Sequence, residues 1–301
     1  AFGRLEAGIS GRLRHMPITY TVTKDPANTA LIYNFGDWSK WNESLVGAYL
    51  NLVAELAKLD IEAGLRGEYT AISYKFAPNP YFSEDQYNYF SLFPNTRFTF
   101  NINKSNKISL FYNRRIDRPG EDILRIFPKY DDPELLKIGN PSLRPQFTQN
   151  MEIAYRRLWQ SGAFNTSLYH KIINDYYTRV YIQDPSHTEI SIKAYDNLGR
   201  ATNTGVELGF DQKIIKAWKV TASANIYSNT IFEHEGQIKF PEEQSYIIAK
   251  RTDMPVYLKM TNQVTLDNDF IFELTAQYFS AKNIGQGKEL SRGGLDFGMK
   301  R

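Results

Sequence analysis

The sequence contains no cysteine, and this absence removes several classes of protein at once. Disulfide scaffolds, zinc ribbons, iron–sulfur sites and thiol nucleophiles all require cysteine. Histidine is scarce as well, and its four scattered residues cannot make up a histidine-built metal site. We therefore expect no metal site and no bound cofactor.

Two further absences concern charge and hydrophobicity. The 36 basic residues nearly balance the 33 acidic ones, which leaves a formal net charge of +3. Nucleic-acid-binding proteins usually carry a clustered basic excess, so no nucleic-acid partner is expected. No segment approaches the ~18 consecutive apolar residues that a membrane-spanning helix needs.

The chain is instead rich in aromatic residues, with 20 tyrosines and 19 phenylalanines, and apolar residues alternate with polar ones along it. In residues 59–70 the odd positions carry Leu, Ile, Ala, Gly and Tyr, and the even positions are mostly charged. A period of two predicts β-strands with one apolar and one polar face. The pattern recurs in residues 4–14, 97–103, 107–115, 150–156, 164–172, 205–210, 218–227, 258–265, 270–279 and 295–300.

The length of the strands and the alternation of short and long connections indicate the fold class. About a dozen residues at ~3.3 Å each, tilted by ~40°, rise about 30 Å, which is enough to cross an outer-membrane apolar band of ~25 Å. Short breaks at 57–58, 103–107, 160–163, 211–217 and 267–269 alternate with long stretches at 15–41, 75–91, 117–146, 183–200, 229–254 and 282–292. We predict an all-β fold, an antiparallel transmembrane β-barrel with about twelve strands in this chain. A soluble antiparallel sandwich or solenoid is the alternative.

The polar face of such a barrel points inward, and aromatic residues form girdles at its two ends. The residues predicted to face the lumen are Asp60, Glu62, Arg66, Glu68, Arg97, Arg156, Glu207, Lys219 and Glu273, with Glu6, Arg12, Arg115, Glu152 and Lys259 on the same face. Predicted girdle residues are Trp159, Phe164, Trp218 and Phe270 near short turns, and Tyr69, Tyr112, Tyr227 and Tyr278 toward the long loops. Mixed charges on the inner face suit cross-strand ion pairs, a docked plug or a substrate route.

The most specific segment spans residues 112–155. Pro119 is expected to end a strand, because proline cannot donate to a ladder, and Gly139-Asn140-Pro141 is a turn signal. Its distinctive residues are Arg114, Arg115, Arg118, Pro119, Gly139, Asn140, Pro141, Leu143, Pro145, Glu152 and Tyr155.

These motifs resemble those of the outer-membrane β-barrel family of Bacteroidetes-type bacteria, in the C-terminal barrel region of TonB-dependent receptors. The family shows an Arg-Arg/Arg-x-x-Arg-Pro strand end, a Gly-Asn-Pro-x-Leu-x-Pro turn and a Glu-x-x-Tyr strand, and the residues above match all three in order. Residues 64–70, 92–94 and 203–208 resemble its Gly-Leu-Arg-x-Glu-x-Thr strand, its Leu-Phe-Pro entry and its Gly-x-Glu strand.

The resemblance implies a receptor for TonB-dependent nutrient uptake in the outer membrane, and not an enzyme. Such receptors have about 22 strands and a plug, so residues 1–301 are expected to be a barrel fragment without the plug domain and terminal strands. The implied partners are outer-membrane lipid, the receptor's own plug, a TonB-type energy-coupling protein and an unidentified small ligand. The motif residues would then be structural or plug-facing.

Other functions remain open from the sequence. A passive porin would conduct ions without a plug, and an adhesin or scaffold barrel would bind a protein through its loops. The sequence has no Gly-rich phosphate loop, no His-Glu-x-x-His and no nucleophile elbow, so no catalytic residue is expected. The acidic run 131–134 offers oxygen ligands for calcium but lacks the spacing of a calcium loop, and a solvated loop is preferred.

Overall fold

The computed structural model describes residues 2–21, 33, 35–128, 132, 134–266 and 270–301. The predicted turn at 267–269, most of the first long loop, and Asp131 and Pro133 of the acidic run lie outside the described residues.

The described chain is almost entirely β-structure, with a single helical turn. Its elements are β1 (Phe2–Thr19), β2 (Trp38–Glu55), β3 (Leu59–Phe76), β4 (Asp85–Asn103), β5 (Asn106–Asp117), α1 (Glu121–Leu124), β6 (Leu135–Lys137), β7 (Gln146–Trp159), β8 (Gly162–Asn174), β9 (Tyr177–Gln183), β10 (Ser191–Asn197), β11 (Arg200–Ile215), β12 (Trp218–Ile231), β13 (His234–Ile238), β14 (Gln244–Ile248), β15 (Arg251–Asp253), β16 (Val256–Thr265), β17 (Ile271–Phe279), β18 (Lys282–Ile284), β19 (Gly287–Glu289) and β20 (Arg292–Lys300). Among the described residues, no helix has the length and apolar character needed to cross a bilayer.

Twelve of these strands form one antiparallel path in the order β1-β2-β3-β4-β5-β7-β8-β11-β12-β16-β17-β20, and β15 adds to β12. The predicted all-β fold and antiparallel meander are therefore confirmed. The sheet is open in this structure, because β1 pairs only with β2 and β20 only with β17 among the described strands.

The strands are staggered, as those of a barrel are, with a somewhat smaller tilt than in most outer-membrane barrels. Directly opposed residues run from Arg4 through Val53, Glu62, Arg97, Phe111, Glu152, Tyr169 and Gly205 to Tyr227. Arg4 is two residues from the start of its strand and Tyr227 is nine, so the row climbs seven residues in eight strand-to-strand steps. At ~3.3 Å per residue and ~4.8 Å between strands, this corresponds to a tilt of about 30°. Outer-membrane barrels tilt by ~35–45°.

The two faces of the sheet differ in chemistry. Bulky apolar side chains such as Ile9, Leu65 and Leu168 are exposed on one face, whereas the row from Arg4 to Tyr227 lies on the polar face. The prediction of Tyr227 for the outer girdle is wrong, because this tyrosine shares the polar face with Asn225. An exposed apolar face suits contact with lipid, because Leu and Ile side chains enter hydrocarbon without a desolvation cost.

Three small sheets form within the long connections, where loops were expected. They are β6-β10-β9, β13-β14 and β18-β19. The expected loops at 117–146, 183–200, 229–254 and 282–292 therefore contain strands, and the expected loop at 75–91 shrinks to 77–84. We call the long connections, with the strand ends on which they pack, the loop layer.

The hydrophobic core of the described chain lies in this loop layer. Its members are Phe35, Ile72, Tyr74, Phe76, Ile126, Phe127, Leu136, Ile138, Val180, Ile192, Ala194, Leu198, Ile231, Ile238, Phe240, Tyr246 and Ile248. In β3, Ile72, Tyr74 and Phe76 continue the face that carries Glu68 and Thr70. The polar face of the wall thus becomes apolar at its loop end, where the connections cover it.

Hydrogen bonds join separate connections into one layer. Ties between them are Tyr20 hydroxyl to the Pro128 carbonyl (3.1 Å), Tyr33 hydroxyl to Asp184 (2.5 Å), Tyr246 hydroxyl to Asp196 (2.7 Å) and the Tyr181 amide to Gln286 (2.5 Å). Burial, together with the bond to Asp196, raises the pKa of Tyr246 above its usual range, so this hydroxyl keeps its proton at alkaline pH values where a solvent-exposed tyrosine ionises.

Candidate functional site

The first motif lies where β5 ends and the loop layer begins. Arg114 stacks its guanidinium over the Phe147 ring at 4.6 Å and donates to the Leu92 carbonyl over 3.2 Å. Arg115 points to the other face, where its Nε lies 2.7 Å from the Asn113 side-chain amide and donates to it when that amide is oriented with its oxygen toward Arg115. The two adjacent arginines therefore serve opposite faces of the sheet.

Arg118 connects the loop layer to the polar wall. Its Nη2 donates to Glu68 over 2.7 Å and lies 3.3 Å from the Thr70 hydroxyl, while its Nε donates to the Tyr89 hydroxyl over 3.2 Å. Glu68 and Thr70 are buried. Pro119 and α1 follow directly, so the motif ends the strand with an anchor on β3.

Glu68 also holds a second arginine. Arg66 Nε donates to Glu68 Oε1 over 2.5 Å, and its Nη2 reaches Ser10 in β1 over 3.2 Å. To do so the side chain crosses β2 at Gly47, where a Cβ would lie 3.2 Å from Arg66 Nη2 and 3.3 Å from Glu68 Cγ. The absence of a side chain at Gly47 thus gives Arg66 room to reach from β3 across β2 to β1.

A matching arrangement surrounds Glu43 in β2. Arg12 Nη2 donates to Glu43 Oε1 over 2.6 Å, and Arg14 Nη1 lies 3.6 Å from Oε2. The Glu43 side chain is only 4% exposed, whereas those of Arg12 and Arg14 are 46% and 40% exposed. The predictions included neither Arg14, the last residue of the predicted strand 4–14, nor Glu43, because the polar face of β2 also carries Leu45 and hides the alternation there.

The Gly139–Pro145 turn is held by hydrogen bonds to backbone groups, and one of these contacts requires a residue without a side chain at position 139. A Cβ at Gly139 would collide with the Arg125 carbonyl oxygen. The Gly139 amide instead donates to that oxygen over 3.0 Å. Asn140 donates through Nδ2 to the Tyr195 carbonyl and accepts from the Ser142 amide, both over 2.9 Å. Pro141, Leu143 and Pro145 are buried.

Arg144 ties this turn to two other segments. Its amide donates to Asn197 Oδ1 over 2.9 Å, and the Asn197 side-chain amide returns a bond to the Arg144 carbonyl over 3.0 Å. Its guanidinium lies 3.8 Å from the centre of the Tyr87 ring and donates to Asp85 over 3.2 Å. The predicted motif residues therefore make contacts within the chain that organise the loop layer.

The remaining predicted wall residues all lie on the polar face but are spread across it. Asp60 accepts from Asn101 over 3.0 Å, and Lys219 pairs with Asp211 at 3.5 Å. By strand register, Glu62, Arg97, Glu152, Arg156, Glu207 and Glu273 also share this face. Tyr155 lies on the apolar face and donates to Asn106 over 2.6 Å. Side-chain bonds bring Arg66, Glu68 and Arg118 together in one site.

The loop layer also encloses a cavity of about 180 Å³. Its walls combine aromatic rings with amide and carboxylate groups, among them Tyr81, Phe82, Tyr195, Phe240, Asn140 and Asp196. Small-molecule sites are usually concave and mainly apolar, whereas the lining of this cavity is more polar than apolar. In the described part of the chain, no group of three His, Asp or Glu side chains is placed to hold a metal ion.

The sequence profile of a family described as the outer membrane protein beta-barrel family matches residues 1–301. The chain belongs to this family. Membership places the protein in the outer membrane and confirms the predicted resemblance to the outer-membrane β-barrel family. No curated protein is similar enough in sequence to count as a relative.

Solved structures with the same fold include outer-membrane transporters and receptors. The copper transporter OprC matches with a TM-score of 0.67 and 14% identity, over 98% of this chain and 45% of OprC. The siderophore receptor PiuA from Acinetobacter baumannii matches with 0.61 and 14%, over 86% of this chain and 37% of PiuA. The ferric yersiniabactin uptake receptor FyuA from Yersinia pestis matches with 0.55 and 12%, over 87% of this chain and 38% of FyuA.

These similarities establish the fold of this member of the beta-barrel family. The chain spans less than half the length of each of the three structures. The activities named for those proteins belong to them, and they bear on this chain only as a basis for a proposal.

Proposed function

We propose that this chain is the barrel region of a TonB-dependent outer-membrane receptor that takes up a scarce nutrient. The observation that carries the proposal is the packed loop layer, which sits on the polar face of a beta-barrel-family sheet and is anchored there by Arg118. A folded layer with a cavity above a polar wall suits capture of a ligand outside the cell, followed by its passage inward.

Two protein partners belong to this proposal. A plug domain would fill the lumen against the polar wall, and a TonB-type protein would pull on that plug to open a path. The lumen-facing role of Asp60, Glu62 and the other wall residues is part of the same hypothesis. The activity is transport, so no residue is assigned a catalytic role.

The loop layer favours a receptor over a passive porin. A porin keeps a water-filled interior. Here the connections bury Tyr74 and Phe76 on the same face of β3 that carries the charged wall residues. This packing places protein, and not water, over the loop end of the wall.

Uptake by cells carrying the full-length protein tests the function. Radioactive iron(III)–siderophore complexes and copper(II) are suitable probes, because structurally similar proteins are named for these cargoes. We expect accumulation of one probe to require the protein and to stop with a protonophore or without the TonB-type partner. Accumulation that continues without energy, together with steady conductance in planar bilayers, would establish a porin. Binding of a protein to the loops with no uptake would establish an adhesin.

A further inference from the structure

Four arginines converge on two buried carboxylates just below the loop layer. Arg12 and Arg14 contact Glu43, and Arg66 and Arg118 contact Glu68. We call these six residues the four-arginine patch. Four positive charges face two negative ones, so the patch keeps a local surplus of two positive charges.

In this patch most of the arginine side chains are exposed to solvent, whereas the two glutamate side chains are buried. The carboxylate side chains are 4% and 8% exposed, whereas Arg12, Arg14 and Arg66 are between 37% and 46% exposed. Each buried carboxylate contacts two guanidinium groups and restricts their motion. A ligand that binds the arginines would therefore cost less side-chain conformational entropy. The arrangement therefore differs from the one-to-one pair of Arg4 with Glu6.

Hydrogen-bond donors remain available on these side chains. A guanidinium carries five N–H donors. Among the described residues, Arg12 makes one side-chain bond, to Glu43, and Arg66 makes bonds to Glu68 and Ser10. The planar guanidinium group of arginine can donate two parallel hydrogen bonds to one carboxylate or phosphate group, which the ammonium group of lysine cannot do.

We propose that the four-arginine patch binds a small polyanionic ligand through its carboxylate or phosphate groups. Position supports this assignment: Arg118 is the first residue after β5 and also donates to Tyr89, which packs against the loop-layer core. A ligand leaving the loop layer along the polar wall would meet this patch next. The inference rests on the proposed uptake function and specifies the chemistry of its cargo.

The test variant removes cations without leaving a buried carboxylate unpaired. In Arg12→Gln/Arg66→Gln, Glu43 keeps Arg14 and Glu68 keeps Arg118. Arg4→Gln is the matched control, because it removes an arginine of the same strand that pairs one-to-one at 3.1 Å. Arg12→Lys/Arg66→Lys keeps the positive charges and removes the ability to donate two parallel hydrogen bonds to one group.

Binding is measured with the full-length receptor in detergent micelles by calorimetry, with citrate and inorganic phosphate as separate probes for the two anion classes. We expect one probe to bind the wild type, and the double glutamine variant to weaken that binding by about tenfold or more, because each lost bond is to a charged group. The lysine variant should be intermediate and Arg4→Gln within about twofold of wild type. Added salt should weaken binding, since the patch is accessible to solvent.

Three results would overturn the proposal: neither probe binds, the control weakens binding as much as the test variant, or the double variant only makes the plug more sensitive to protease. The last result would assign the patch to an acidic plug segment. Binding in micelles needs no energy coupling, so its failure would leave energy-dependent uptake untouched. Loss of uptake with retained binding would instead contradict the transport function alone.

Discussion

The assignment of the two faces predicts opposite responses to the same introduced residue. Leu65 lies on the exposed apolar face of β3, opposite Leu50 and Pro94, and is 50% exposed. It is six residues from the start of β3. At ~3.3 Å per residue and a tilt of about 30°, it lies ~17 Å above the turn side, well inside an apolar band of ~25 Å. Leu65→Arg should therefore destabilise the inserted state by ~2–4 kcal/mol.

The matched control places arginine on the polar face three residues away. Glu62→Arg and Glu62→Leu change a side chain opposite Arg97 and should each cost less than about 1 kcal/mol, since exposed ion pairs contribute little. The Leu65→Arg cost corresponds to about a 30- to 900-fold change in the equilibrium between inserted and unfolded protein. It is measured by refolding the full-length protein from urea into phospholipid vesicles and following heat-modifiable migration on gels. Equal tolerance of arginine at both positions would refute the assignment of the faces.

Further predictions concern the loop layer. Gly139→Ala should destabilise it by about 1–3 kcal/mol, because the new Cβ meets the Arg125 carbonyl, and limited proteolysis of the 118–145 segment should accelerate while the strands stay protected. Leu143→Ala should cost ~2–5 kcal/mol, because this side chain is completely buried, and hydrogen exchange should increase in the loop layer alone; unchanged exchange would contradict its place in the packing. Burial, with a contribution from Asp117, raises the pKa of Tyr177 to about 12. The folded state therefore holds the Tyr177 proton more tightly than the unfolded chain, and stability that is complete below about pH 10 should fall as the pH rises toward 12. Ultraviolet titration of wild type against Tyr177→Phe checks this, and a difference that titrates near pH 10 would contradict it.

The strands of the sheet could be predicted because one physical rule governs most of their length. Between lipid and a polar interior, residues such as Leu65 and Arg66 must alternate, and the period of two follows. The rule fails where the surroundings change. At Ile72, Tyr74 and Phe76 the loop layer covers the polar face, so the alternation reverses: the apolar residues lie on that face and Ser73 and Lys75 on the other, and the predicted strand ends too early.

The candidate site was only partly predictable for a related reason. The motif spacing singled out Arg118 and the Gly139–Pro145 turn, but Arg118 meets Glu68 fifty positions away in sequence. Nothing local to either residue encodes that contact. The strands β9 and β10 were missed because they are stabilised by packing within the loop layer and not by a membrane boundary.

The position of the hydrophobic core gives the molecule two separate sources of apolar stability. The strands present side chains such as Leu65 to lipid, whereas Phe240 and Ile192 are hidden from water among the connections. The second group is protected as it would be in any water-soluble protein, and its exposure on melting carries the large positive heat capacity of aqueous unfolding. The loop layer should accordingly respond to temperature and osmolytes as a soluble domain does, while the strands below it respond to the thickness of the bilayer.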